Sequence, residues 1–550
     1  MQADEEYENE RLDHLGIVAG VCREIGLVEW IDQQAGERRN LVSLGTAIMA
    51  MVLNGLGFSN RQLYLVPQYF ANKPVEHLLG EGITADLLHD DCLGRTLDWI
   101  SEHDPTKLFA GIAQQARQRF ELSRNRVHVD TTSFSVNGAY ESASQAQGAV
   151  PIAITYGYSR DHREDLKQWM LALVTTHDGD VPLFMRPLDG NSCDKASIST
   201  VVQEVIKQLR DSDPVQQEEP LVVFDSGGYS QDNMKAYNEA NIRWCSRVPE
   251  TSKEAKAALA LQPEHWQEFS DHRGLFVPLK QQLPQGEERW VMIRTTQNWE
   301  AARDSLRKKA NKDAEIWEKR LWHLSTQSFA CQQDAEETFK KAISKLPAYV
   351  QATASVIESP HYEKAGRPSV DAKPIRMSWK VVPSVAILLE PLERAAEHQA
   401  RFLIASNVLS TDTLSDEALF VVYKEQGSVE RGFRFLKDPL FLASSVFVKK
   451  PSRLIALSFI MVLCLLIYRL AEHRLRQRLQ QSEQTIPNQV NKPTAKPTMR
   501  WVFQCFEGIE LLHIRRGSTV QTRVLRLQPL HHTILRLLGP PYQSFYFLSS

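Results

Sequence analysis

Three acidic residues lie far apart in this chain, each at a place where a carboxylate can do chemistry. Asp130 follows the apolar run Val127-His128-Val129 and precedes Thr131-Thr132-Ser133. Asp225 follows Leu221-Val222-Val223-Phe224 and precedes Ser226-Gly227-Gly228. An acid after a buried strand lies at the strand's carboxyl end or edge, where ligands gather in sheet folds. Glu430 belongs to the run from Tyr423 to Lys437, which also holds Gln426, Arg431 and Arg434. Tyr423, Glu430 and Lys437 are spaced by seven, so one helix through them would keep all three on one face. That face sets an acid between a phenol and an ammonium, both suited to phosphate oxygens, with Arg434 one turn beyond.

Cutting a phosphodiester needs a nucleophilic oxygen, a stabilised leaving oxygen and neutralised phosphate charge. Two divalent ions about 3.5–4 Å apart supply all three. Mg²⁺ takes a few carboxylates plus substrate oxygens and waters. If they converge, Asp130, Asp225 and Glu430 therefore suffice to hold two Mg²⁺ ions, with Mn²⁺ able to substitute. Each piece alone has a plainer reading: Asp225 as a helix cap, the Tyr-Glu-Lys stripe as a solvated face. The three together, in this order of elements, point to catalysis. Arg160, His162, Arg163 and Lys167 form a basic turn that reads equally as a phosphate contact or a solvated hairpin, with Asp161 and Asp165 orienting its cations. His128 shares Asp130's side of an alternating strand, as a supporting group or as a core histidine.

The elements that must position these residues follow from the hydrophobic pattern. At 550 residues the chain exceeds one core, so several domains are expected. Residues 1–122 read as a helical front domain, with helical spacing over Leu12–Ile31, Leu41–Leu56 and Asp90–Ile100. Residues 123–250 read as strands at Arg126–Val136, Ile152–Tyr158, Trp169–Thr175 and Val181–Arg186. A helix over Lys195–Arg210, a strand at Leu221–Phe224, a helix after Ser230 and a strand at Ile242–Arg247 follow. That order suits an α/β fold with a mixed sheet and helices on both faces. Residues 251–399 break the rhythm and read as an insertion, with strand-like segments such as Glu288–Arg294, a long charged helix over Trp299–Leu324 and an end near Ser378–Leu389. Residues 400–480 restore the core pattern from the strand Arg401–Ser406 onward. Residues 481–550 read as a linker, Gln481–Thr498, and a tail that is helix-like over Trp501–Ile514 and then irregular.

Composition narrows the class. Apolar residues make up 43% and charged residues 24% of the chain, as in an ordinary soluble globular protein. Net charge is only −3, but residues 431–480 carry ten Lys/Arg against two acids, and local fields govern phosphate contact. Seven scattered cysteines lack zinc spacing and fit a reducing cytosol rather than a disulfide scaffold. The 15-residue apolar run Leu454–Tyr468 is shorter than the about 20 residues a bilayer span needs. It reads as a buried helix behind the sheet, and no membrane association is expected.

With these motifs in place, the chain resembles bacterial insertion-sequence transposases of the DDE type, in the branch whose third acid sits in a Tyr-x2-Arg-x3-Glu-x6-Lys signature. Here the signature reads Tyr423-x2-Gln426-x3-Glu430-x6-Lys437, so Gln426 stands where the family has Arg, and one bidentate phosphate contact is lost. Arg431 or Arg434 is the candidate replacement. The contexts of Asp130 and Asp225, and the segment Gly157–Arg163, also look like that family. The resemblance implies a ribonuclease-H-like core interrupted by a largely β insertion, and a homodimer on paired inverted repeats of double-stranded DNA. It also implies joining of the freed 3′-hydroxyls to target DNA, in a cytoplasmic, nucleoid-associated setting. In some relatives a flipped base stacks on an insertion-domain Trp, which makes Trp299 and Trp290 candidates, although packing within that domain's core is the plainer role for either. A nuclease without strand transfer, and a non-catalytic DNA-binding remnant, are the alternatives.

Overall fold

The apolar run Leu454–Tyr468 lies inside a 31-residue helix, Pro451–Gln481, whose whole apolar stretch is buried in the protein. Among the described residues it is the one helix long and apolar enough to cross a membrane by length and composition. Its burial among other helices matches the core-helix expectation. The computed structural model describes residues 5–36, 41–59, 63–137, 140, 152–159, 161, 163–192, 194–212, 219–362, 373–438, 450–517 and 519–548. It divides into two compact units.

The larger unit comprises residues 1–246, 282–287 and 406–550. It opens with a strand, β1 (Glu5–Arg11), then α1 (Leu15–Glu24), α2 (Leu27–Ala35), α3 (Leu44–Leu56), α4 (Val66–Phe70), α5 (Val75–Leu79), α6 (Asp90–Glu102) and α7 (Pro105–Phe120). The helical spacing expected over Leu12–Ile31 is carried by two helices, parted where Gly26 adopts a left-handed φ of 65°. The main sheet then begins with β2 (Arg126–Val136), β3 (Lys167–Thr176) and β4 (Pro182–Leu188), followed by α8 (Asp194–Ser212), β5 (Leu221–Phe224), α9 (Gln231–Glu239) and β6 (Arg243–Arg247). These strands lie in the order β4-β3-β2-β5-β6. The β2–β3 and β3–β4 pairs are antiparallel, and β2–β5 and β5–β6 are parallel. Helix α8 buries Ile198, Val201, Val202, Val205, Ile206 and Leu209, as its spacing requires. Ile152–Tyr158 does not form the expected strand and makes one isolated bridge, Thr155 to Gln168. The Gln168 amide side chain donates to the carbonyls of Tyr158 and Gly190, replacing ladder bonds the segment would otherwise need.

The smaller unit comprises residues 247–281 and 288–405. Its elements are α10 (Lys253–Ala260), β7 (Gln267–Glu268), β8 (Gly274–Leu283), β9 (Gly286–Thr295), α11 (Thr296–Ser325), α12 (Gln332–Ala342), β10 (Val350–His361), β11 (Arg376–Ile387), α13 (Leu389–Gln399) and β12 (Arg401–Ser406). The long charged helix expected over Trp299–Leu324 is α11. Its Leu306 and Ala310 pack with Val350 and Leu392, and its Leu321 and Leu324 with Ala352 and Val381. Four helices share this segment with its strands, so a mainly β description does not fit it.

Back in the larger unit come α14 (Asp416–Lys424), α15 (Gly427–Leu436) and the buried α16 (Pro451–Gln481). The expected linker is instead ordered: β13 (Ile486–Pro487) pairs with β14 (Pro493–Thr494), and Asn488 accepts the N–H groups of Val490 and Lys492 across the turn. The tail is also built structure, with α17 (Met499–Cys505), β15 (Glu510–Arg516), β16 (Thr519–Leu525), α18 (Pro529–Leu538) and α19 (Pro540–Gln543). It packs onto α1: the Tyr542 hydroxyl donates to Glu24 at 2.6 Å, and Tyr546 donates to the Asp13 carbonyl at 2.7 Å. A composition rich in Gln, Asn and Pro suggested looseness, but buried tyrosines and an Asx turn fix the segment.

Candidate active site

Asp130 and Asp225 are brought together by strand register. β2 and β5 are parallel, and Val129 pairs with Phe224. The two acids are therefore the next positions on neighbouring strands, which run about 4.8 Å apart. Asp130 is half-buried, and its Oδ1 accepts the Thr131 N–H at 2.7 Å. Asp225 is exposed, begins the short turn after β5, and makes no capping hydrogen bond with its side chain. The plain role of helix cap therefore does not account for it. Its Oδ1 accepts the Tyr423 hydroxyl at 3.1 Å, which ties the signature's phenol to the second acid.

Glu430 is exposed on α15. The continuous helix expected from Tyr423 to Lys437 is instead two. α14 ends at Lys424, α15 starts at Gly427, and Lys437 is the residue just past its end. α15 nevertheless lies on Asp130's face of the sheet. A side chain at Gly432 would meet Leu173 and Leu465 at 3.2 Å, and Leu173 pairs directly with Asp130. Directly paired antiparallel residues share a face, and a Cβ at Gly432 would make a tight fit against both leucines, so the helix lies close over that face. Further along, the Lys437 ammonium sits 5.6 Å above the ring of Phe134, four residues beyond Asp130 on β2.

The cations expected around the acids are differently employed. Arg431 gives both prongs of its guanidinium to Asp180, at 2.9 and 3.0 Å, so its fork is already filled by protein. Asp180 also meets the buried Arg469 at 3.7 Å, and Arg469 pairs with the buried Glu472 at 2.7 Å. That network clamps α15 and α16 to the β3–β4 turn. Lys437 pairs with both oxygens of Asp161, at 3.0 and 2.7 Å, and Arg163 pairs with both oxygens of Asp165 at 2.8 Å. Gln426 is buried, and its Oε1 has no hydrogen-bond partner among the described residues, so it does not face a substrate. Arg434 is exposed on α15. Arg160 and His162 lie outside the described residues.

His128 is neither a satisfied core histidine nor a hydrogen-bonding neighbour of Asp130. Both ring nitrogens are buried without a partner, and burial first, then His177, drives its pKa down to about 3. It stays neutral at physiological pH. In the smaller unit, Trp290 is 1% exposed, and its indole N–H donates to Glu288 at 2.7 Å, so it is core and offers no face to a base. Trp299 is half-buried, with the Arg303 guanidinium 5.0 Å from its ring centroid.

Sequence reasoning missed Asp180. Its signals were present: an acid in the turn Asp178-Gly179-Asp180, and the charged pair Arg469 and Glu472 ending an apolar helix, where buried charges demand partners. Among the described residues no group of three His, Cys, Asp or Glu side chains is close enough to hold a metal ion as placed. The donor set itself is carboxylate oxygen, which suits Mg²⁺ or Mn²⁺. Two of its members are adjacent, and the third rides on a helix packed against the strand of the first.

Residues 122–467 match the family model described as "Transposase DDE domain", and residues 7–114 match a domain of unknown function, DUF4277. No curated protein matches the chain. Among solved structures, a piggyBac transposase synaptic complex with hairpin DNA is similar at 10% identity and a TM-score of 0.37, covering 91% of this chain and 82% of that one.

Proposed function

This chain belongs to the transposase DDE-domain family, and on that footing we propose that it is a DNA transposase using Asp130, Asp225 and Glu430 as its catalytic carboxylates. The observation that carries the reading is the β2–β5 register, which sets two of the three acids side by side just past the last paired residues of these parallel strands, Asp130 within β2 and Asp225 just beyond β5. The strand order β4-β3-β2-β5-β6, with its antiparallel first pairs and parallel last pairs, supports a ribonuclease-H-like core. Bound at the three carboxylates, Mg²⁺ or Mn²⁺ would polarise the scissile phosphate and activate the attacking oxygen.

The chain's own residues have separable tasks. Tyr423 holds the Asp225 carboxylate in one orientation. The Arg431–Asp180 clamp fixes the helix that carries Glu430. Lys437 waits on Asp161 and is a cation placed to transfer to a phosphate, since the half-exposed Asp161 carboxylate it would leave can be solvated by water. Arg434, exposed on the helix that carries Glu430, is a further candidate for phosphate contact. We assign the helical front segment and the smaller unit to contacts with the element's ends, with two copies acting on paired ends in the cytoplasm.

The test is incubation of purified protein with Mg²⁺ and a DNA fragment carrying the flanking repeats, followed by separation of nicked, hairpin and joined products. Asp130→Asn, Asp225→Asn and Glu430→Gln should each lose cleavage by several orders of magnitude while retaining end binding. Cleavage retained in any one of them removes that residue from the set.

A further inference from the structure

Two exposed tyrosines beside the carboxylate face take no part in the phosphate chemistry. Tyr156 is 58% exposed and Tyr158 79%. The backbone beneath them is held tightly. Thr155 exchanges both backbone hydrogen bonds with Gln168 of β3, at 3.2 and 2.9 Å, just past the point where β4 ends. The buried Gln168 amide donates to the Tyr158 and Gly190 carbonyls at 3.1 and 2.7 Å. A Cβ at Gly157 would overlap the Gly190 carbonyl oxygen, and one at Gly190 would overlap the Gln168 carbonyl oxygen, so both positions need glycine for this close approach. Ser159 is buried, and its hydroxyl accepts the Arg163 N–H at 3.1 Å. Asp161, three residues beyond Tyr158, is gripped by Lys437, whose ammonium lies 5.6 Å from the Phe134 ring. Phe134 shares Asp130's face of β2. The segment therefore runs from the edge of β3 to the face that carries Asp130.

We propose that Tyr156 and Tyr158 form a stacking platform for unpaired bases of single-stranded DNA beside the carboxylate site. Exposure alternates along the run, with Thr155 and Gly157 half-buried and the two tyrosines exposed, so both rings leave the same side. Residues two apart on an extended run stand about 6.6 Å apart. That is close to two steps of about 3.4 Å along a DNA strand, so one base fits between the rings. A backbone fixed in advance lowers the ordering cost of binding, and every base has a face to stack. A duplex hides those faces. The described cations nearby are paired, Lys437 with Asp161 and Arg163 with Asp165, so this surface offers rings rather than free charge. Two tyrosines bury at most about 500 Å², below the about 800 Å² per partner of a standard protein interface, which favours bases over a protein partner. The proposal rests on the transposase reading, because cutting a strand is what supplies unpaired bases there.

The experiment titrates the full chain, without divalent metal, onto a mixed-sequence single strand carrying 2-aminopurine and onto the same sequence as a duplex. Stacking should quench the fluorescent base on the single strand. Tyr158→Ala should weaken single-strand binding by about 5- to 150-fold, lose the quenching and leave duplex affinity unchanged. Tyr158→Phe keeps the ring and should behave as wild type. A Tyr158→Ala chain with wild-type single-strand affinity and quenching overturns the proposal while leaving the transposase reading intact. Equal losses on both DNAs contradict stacking on unpaired bases, and a Tyr158→Phe chain as weak as Tyr158→Ala assigns the contact to the hydroxyl and contradicts it too. A wild-type chain that binds neither DNA overturns both readings.

Discussion

Replacing Asp180 by alanine removes the anion shared by Arg431 and Arg469, and its cost follows from the burial of the three groups. The Asp180 side chain is 12% exposed, Arg469 9% and Arg431 53%. Breaking a buried pair by deleting one partner costs about 3–5 kcal/mol, whereas an exposed pair is worth about 0–1 kcal/mol. Here one cation is half in solvent, and the buried one keeps Glu472 at 2.7 Å. The loss therefore falls between those limits, at about 2–3 kcal/mol. It should appear locally, because Arg431 anchors α15 to the β3–β4 turn. Hydrogen exchange of the α15 amides should quicken by about 30- to 150-fold, at 1.36 kcal/mol per factor of ten, with α1 and α3 unaffected. DNA cleavage should fall in parallel, since Glu430 rides on the loosened helix. Exchange changed by less than about threefold would refute the reasoning, leaving the apolar contacts of Gly432 with Leu173 and Leu465 as the true anchor.

Other consequences are simpler. Tyr423→Phe deletes the hydroxyl that donates to Asp225 at 3.1 Å. Hydrogen bonds to charged groups are worth about 1.5–3 kcal/mol, so cleavage should drop by about tenfold or more with end binding unchanged; a wild-type rate would show the contact idle. His14 is fully buried and donates to the Leu56 carbonyl at 2.9 Å, and burial holds its pKa down to about 4. Below pH 6.5 the unfolded chain binds a proton that the folded chain refuses, so stability is lost as pH falls from 6.5 to 4, by about 3 kcal/mol in all from this group. Denaturation at pH 6.5 and pH 4.5 should show that loss, and His14→Gln should flatten it; equal slopes in both proteins would contradict the assignment.

Much of the core was legible because its signals are local. An alternating apolar run gave β2 with both ends correct, and the helical spacing of Ile198 to Leu209 gave α8. The acids after β2's apolar start and after β5 stood out only in combination with Glu430, because a single Asp after a buried strand is often just a cap or turn residue. What could not be read was set by tertiary contact. The Tyr423–Lys437 stripe has helical spacing throughout, and only Gly427 marks locally the break between α14 and α15. Arg431 looked like a phosphate ligand until Asp180, 251 residues earlier, filled its fork. The tail looked irregular because its order comes from β1 and α1 at the opposite end of the chain. Pairing at such separations leaves no periodic trace.

The central claim is that Asp130, Asp225 and Glu430 serve one metal site, and iron can report on it directly. Fe²⁺ loaded in place of Mg²⁺, then treated with ascorbate and peroxide, generates hydroxyl radicals that cut the polypeptide beside the bound ion. The account predicts fragments ending near residues 130, 225 and 430 together, all suppressed by excess Mg²⁺. Cuts near only one of the three, or at a different set of carboxylates, would contradict it.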